Sequence, residues 1–121
     1  MRQKVQMLKQ ELAAMKYKPH LSSEKVLIGH ASVYLPVLHY LLLIYSDDVA
    51  NHILESGYAK LNELNDYAFA KTVLGSGGVV SRIFDLNPSF KVEEFLAPNC
   101  AIERKLNFIL ELITAVKAKD S

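Results

Sequence analysis

The chain has 121 residues, of which 50% are hydrophobic and 22% charged, with a net charge of +1 and no tryptophan. That length suits one domain with a buried core of its own, and the near-neutral balance falls short of the bias that nucleic-acid binding usually demands. The single Cys100 excludes an internal disulfide and fits a reducing compartment, and Met1 leads into charged residues with no apolar signal stretch, which argues against secretion.

Residues 2–16 place Val5, Leu8, Leu12 and Met15 at the spacing of one helix face. Lys18-Pro19 ends this helix, because the residue before a proline avoids the helical region. Its charge is lopsided. Over residues 1–18, Arg2, Lys4, Lys9, Lys16 and Lys18 stand against Glu11 alone, a local balance of +4. Ser22 or Ser23 then caps a short helix through Ile28, closed by Gly29.

From about Leu35 to Tyr45 the chain is apolar on nearly every side, so it predicts a helix wrapped by others. It is too short and interrupted to span a bilayer. Pro36 is expected in its first turn, where the missing N–H costs nothing. Ser46 caps a helix through Ser56, with Asp47 and Asp48 favourable in its first turn and Gly57 as its stop. Asn65 or Asp66 caps a further helix to about Leu74, and Gly75-Ser76-Gly77-Gly78 reads as a flexible hinge.

Short helical stretches follow at Val79–Phe84 and Lys91–Leu96, separated by the Asn87-Pro88 turn. Asn99 is expected to cap a long helix from Ala101 to about Ala118. No segment alternates as a strand and no repeat is present, so the predicted fold is all-α: a single compact helical domain around a central buried helix.

The terminal helices carry the surface information. Arg2, Lys9 and Lys16 recur every seven residues along one flank of the first, either as snorkelling cover for the core edge or as a basic ridge for an acidic partner. On the last helix Lys105 falls inside the wide apolar arc of Phe108, Leu112, Val116, Ile109, Ile102, Ile113, Leu106 and Leu110. A lysine there is costly, so it is expected to escape to the domain rim beside Arg104. Its core-facing subset Ile102, Leu106, Ile109, Ile113 and Val116, spaced by fours and threes, reads as a helix packed in a bundle, or less commonly as a coiled-coil seam.

Signals for catalysis are weak. Asp48 and His52 stand one helical turn apart with no further metal ligand evident, and His20, His30 and His39 are scattered, His39 being expected in the core. Cys100 lacks a nucleophile signature, and the Gly75–Gly78 loop lacks the following Lys-Ser/Thr of a phosphate loop. The expectation is a non-enzymatic domain without metal or cofactor.

The basic first helix ending at Tyr17 and Pro19, then Leu35-Pro36, Tyr45-Ser46, Glu55-Ser56, Asn65-Asp66 with Phe69, Pro88, Phe95, Cys100 and Lys105 follow one another in an order that resembles the N-terminal domain of the centrosomal protein of 44 kDa family. The resemblance covers almost the entire chain and rests on order and spacing, since none of these residues is specific alone. It implies an atypical calponin-homology-like fold over residues 1–121, the N-terminal part of a longer protein. It also implies association with microtubules and a role in centriole assembly alongside a WD40-propeller centriolar partner. The family's lysine near the start of the last helix corresponds to Lys105, and its basic first helix to Arg2, Lys9 and Lys16. Where family members carry lysines shortly before the position of Phe95, this chain has Glu93-Glu94, which places tubulin contact through that loop in doubt.

Microtubule surfaces are acidic, so a clustered positive ridge gains from many weak, salt-screened contacts. The leading expectation is a centriolar or centrosomal adaptor that contacts tubulin through Arg2, Lys4, Lys9, Lys16, Lys18, Lys25, Arg104 and Lys105. The alternative is a protein-pairing module whose apolar groove binds another centriolar or ciliary protein without touching tubulin. Either places the chain in the cytoplasm, on the cytoskeleton at the centrosome, centriole or basal body. Neither involves membrane or nucleic acid, and no aromatic interleaves with the basic stripe.

Overall fold

A run as apolar as the middle of this chain is stable only where other elements hide it from water, and the fold is arranged to do so. The computed structural model describes residues 1–58 and 60–120. Its elements are α1 (Arg2–Ala14), α2 (Ser23–Leu27), α3 (Ala31–His39), a π turn (Tyr40–Ile44), α4 (Asp47–Glu55) and a 3-10 turn (Leu61–Glu63). The chain continues through α5 (Asp66–Leu74), α6 (Val79–Phe84), α7 (Val92–Leu96) and α8 (Ile102–Asp120), with no strand among the described residues. The protein is an all-α domain with one hydrophobic cluster, to which all eight helices contribute.

Two elements form its spine. Tyr34, Leu38, Leu41 and Leu42 from α3 and the π turn are fully buried. The other is α8, 19 residues and so about 28 Å long, which packs against α1, α4, α6 and the π turn. Leu106, Ile109, Ile113 and Val116 are buried within this domain, so the bundle reading of α8 holds and that face is not free for a coiled coil.

The central helix differs from expectation at both ends. It starts at Ala31, with the His30 Nδ1 accepting the Ser32 N–H at 3.1 Å, so Pro36 stands in its sixth position and not its first turn. Having no N–H, Pro36 cannot donate to the Ser32 carbonyl four residues back. Beyond His39 the helix widens, and the Tyr45 N–H donates to the Tyr40 carbonyl at 2.9 Å, the i→i+5 bond of a π turn. Wrapping is also incomplete, since Ile44 is 56% exposed.

The other boundaries follow their caps. Ser22, not Ser23, caps α2, Ser46 caps α4 and Asn65 caps α5, each side chain accepting an N–H from the first turn. The helix expected over residues 2–16 stops at Ala14. Lys16 N–H donates to Ala13 C=O and Tyr17 N–H to Leu12 C=O, with Lys16 left-handed at φ +64°. This is a Schellman end, in which Lys16 occupies the position glycine usually takes.

Asn99 does not stand at the start of α8. It lies three residues earlier at φ +58°, and its N–H donates to Ile28 C=O at 2.6 Å. The Gly75–Gly78 segment is a tight turn in place of the expected hinge. A Cβ on Gly78 would lie 2.5 Å from Thr72 O and 2.7 Å from Val73 O, so backbone packing demands glycine there.

Candidate functional site

Helix α1 divides its charges between two flanks. Residues 4 and 11 share one side, and there Lys4 pairs with Glu103 at 3.7 Å while Lys117 pairs with Glu11, tying α1 to α8. Residues 2 and 9 share the other, which borders α2: the Lys9 ammonium donates to the Ser23 hydroxyl, and Arg2 lines a crevice with Ser23, Glu24 and Leu27. Lys25 is exposed on α2, and Lys16 and Lys18 are exposed where the chain leaves α1. None of the ion pairs among the described residues involves Arg2, Lys9, Lys16, Lys18 or Lys25. The heptad stripe of Arg2, Lys9 and Lys16 is interrupted, because Lys16 has left the helix.

Arg104 lies elsewhere. Its guanidinium donates to the Ser89 carbonyl and stands 3.7 Å from the Glu94 carboxylate. Glu94 also accepts the Lys91 N–H at 2.7 Å. That backbone bond, with Arg104 and the Cys100 thiol assisting, holds its carboxyl below the usual range. Arg104 is therefore engaged locally with Glu94 and the Ser89 carbonyl.

Lys105 corrects the expectation of a rim lysine. It is 0% exposed. Its ammonium, with three protons to share, lies within hydrogen-bond distance of four backbone carbonyls: Gly29 at 2.8 Å, Ala97 at 2.9 Å, Glu94 at 3.1 Å and Phe95 at 3.3 Å. Three belong to the last turn and cap of α7, whose carbonyls have no helical partner and whose dipole favours a cation. The fourth closes the α2–α3 turn, where Gly29 sits at φ +67° and a Cβ would meet the Lys105 Nζ at 2.8 Å. The Tyr34 ring lies beneath the ammonium, 5.8 Å from Nζ to centroid. Burial pulls the lysine below its ordinary value, opposed by Cys100 and Glu94. The lysine does not escape because the carbonyls come to it, and it offers nothing to a partner.

A cleft of about 530 Å³ opens along α3, facing the 3-10 turn and the first turn of α5. Leu35, Pro36, Leu61, Leu64 and Phe69 line it, with His30, His39 and Asp66 among its polar groups. His39 is half-buried here, its ring 5.7 Å from that of Phe69, and not enclosed in the core as expected. Sequence reasoning missed this cleft. The one signal was Pro36 inside an apolar helix, where it removes a backbone donor.

Asp48 and His52 are exposed on α4, and no group of three metal-ligating side chains occurs among the described residues. None of the described helices is long and apolar enough to cross a membrane. The family model for "Centrosomal spindle body, CEP44" matches residues 1–121. No curated protein matches the chain.

Proposed function

The chain belongs to the centrosomal spindle body family CEP44, and from that premise we propose that it is a non-enzymatic adaptor of atypical calponin-homology-like fold that docks on the microtubule lattice in centriole assembly. The observation that carries this reading is the cluster of Arg2, Lys9, Lys16, Lys18 and Lys25 on α1, its end and α2, free of ion pairs among the described residues. Lys4 and Arg104 hold structural partners and contribute at the margin, whereas Lys105 drops out of the surface.

Exposed charges of this kind contribute little singly and act by number, and salt screens them over about 8–10 Å near physiological ionic strength. The reading is tested by co-sedimentation of the chain with stabilised microtubules across a salt series. The triple variant Lys9→Glu, Lys16→Glu, Lys25→Glu runs alongside, with thermal melts to show that it folds. Binding is expected to fall steeply with salt and to be lost in the variant. Binding that survives the charge reversal refutes this surface.

The apolar cleft beside α3 favours a second reading, a module that pairs with a centriolar protein such as a WD40 propeller without direct tubulin contact. Absence of lattice binding at low salt would leave that reading standing.

A further inference from the structure

We propose that the seam between α1 and residues 19–27 holds an extended acidic peptide, the unfolded carboxy-terminal tail of tubulin; this rests on the microtubule reading above and narrows its contact from the folded lattice to the tails. Two small clefts lie in line along the seam. One, of about 320 Å³, has Arg2, Gln6 and Ser23 in its lining, and the other, of about 220 Å³, has Lys9, Ala13 and Tyr17. Residues 2, 6, 9 and 13 share one flank of α1, so the two clefts follow the same helix edge. Lys9 joins them, since it lines the second and its ammonium donates to the Ser23 hydroxyl of the first.

Charge complementarity selects the occupant. Arg2 and Lys9 line the clefts, and neither they nor the exposed Lys16, Lys18 and Lys25 nearby in the chain enter an ion pair among the described residues. Against these five cations the lining holds one carboxylate, Glu24, with His20 as a further titratable group. Glu11, the other acid of this region, is paired with Lys117 of α8. A chain of carboxylates laid along the seam therefore gains charge-assisted bonds, whereas a basic chain is repelled. Shape favours a single strand. Each cleft is at or below the lower end of ordinary ligand pockets and suits individual side chains. Arg2 and Lys9 stand seven residues apart, about 10 Å along the helix, which about three residues of extended chain span. Carboxylates at i and i+3 of the peptide thus reach both cations.

The test titrates a labelled synthetic tubulin-tail peptide into the intact chain, read by fluorescence anisotropy, beside co-sedimentation with intact microtubules and with microtubules trimmed of their tails by subtilisin. The peptide is expected to bind, and roughly tenfold more weakly to Lys9→Glu and to Ala13→Trp. Ala13 is exposed, and the larger side chain obstructs the second cleft while every charge stays in place. Thermal melts show that both variants fold. In the unmutated chain the peptide should shift the amide resonances of Gln6, Ala13 and Ser23, a readout that needs no variant. Absence of peptide binding, shifts confined to other surfaces, indifference to Ala13→Trp, or trimmed microtubules bound as tightly as intact ones would each overturn the proposal. In the last case, binding that is still lost on charge reversal at Lys9, Lys16 and Lys25 would leave the docking reading standing, so the two fail separately.

Discussion

Lys105 shows how one buried cation can organise a corner of a fold. Four carbonyls from two separate turns converge on one ammonium, so replacing it with an apolar side chain of similar length leaves acceptors unpaired in the interior. Lys105→Met is expected to cost about 3–5 kcal/mol, read from urea unfolding, because each stranded buried acceptor costs roughly 1–3 kcal/mol. A charge reversal at this position would report on folding and not on partner binding. Tyr34, beneath the ammonium, donates its hydroxyl to Val26 C=O at 3.2 Å, and burial pushes the phenol up to about 12 from 10.0. The folded state thus holds this proton more tightly. Its contribution is complete below pH 10.0 and is lost as pH rises toward 12. Tyr34→Phe should lower stability at pH 7 by about 1 kcal/mol and remove that alkaline loss, as measured by unfolding midpoints at a series of pH values. The sequence placed Lys105 correctly on the apolar arc of its helix. That its charge would be met by the ends of α2 and α7, from residues 76 and 8–11 positions away, was not legible.

At the scale of elements, caps account for what was legible and tertiary contacts for what was not. Ser22, Ser46 and Asn65 each start a helix because the side chain satisfies an N–H within three residues, a purely local event. The end of α1 was misplaced because Val5, Leu8, Leu12 and Met15 keep a helical period past the last helical residue. The stop is a left-handed Lys16, a conformation that non-glycine residues seldom take. Lys16→Gly relieves this strain and is expected to raise stability by about 1 kcal/mol, with a higher melting temperature, while lowering microtubule affinity through the lost charge. Opposite signs would separate the residue's structural effect from the contribution to binding proposed for it. The π turn after α3 was likewise hidden, since residues 40–44 carry nothing that distinguishes them from an α-helix.

The molecule as a whole presents two chemically opposed faces. One carries cations from α1 and α2, and the other is an apolar cleft whose lining includes Asp66 and none of those cations. On the two readings proposed above, lattice binding and partner pairing draw on different residues, so neither would compete with the other. Salt would discriminate between them: lattice binding through the basic surface should fall steeply with ionic strength, whereas pairing through the apolar cleft should change little.

The amino-acid sequence by itself determined the helical class, most helix starts, the buried middle and the excess of positive charge near the first helix. These depend on neighbours within one or two turns, where side-chain period and capping act. Tertiary structure alone decided which cations are free. Lys4 and Arg104 are held by Glu103 and Glu94, and Lys105 is withdrawn into the core, because charges remote in sequence meet only when helices pack. It also decided the cleft, which exists only where α3 faces the 3-10 turn and the first turn of α5, segments remote from it in the chain.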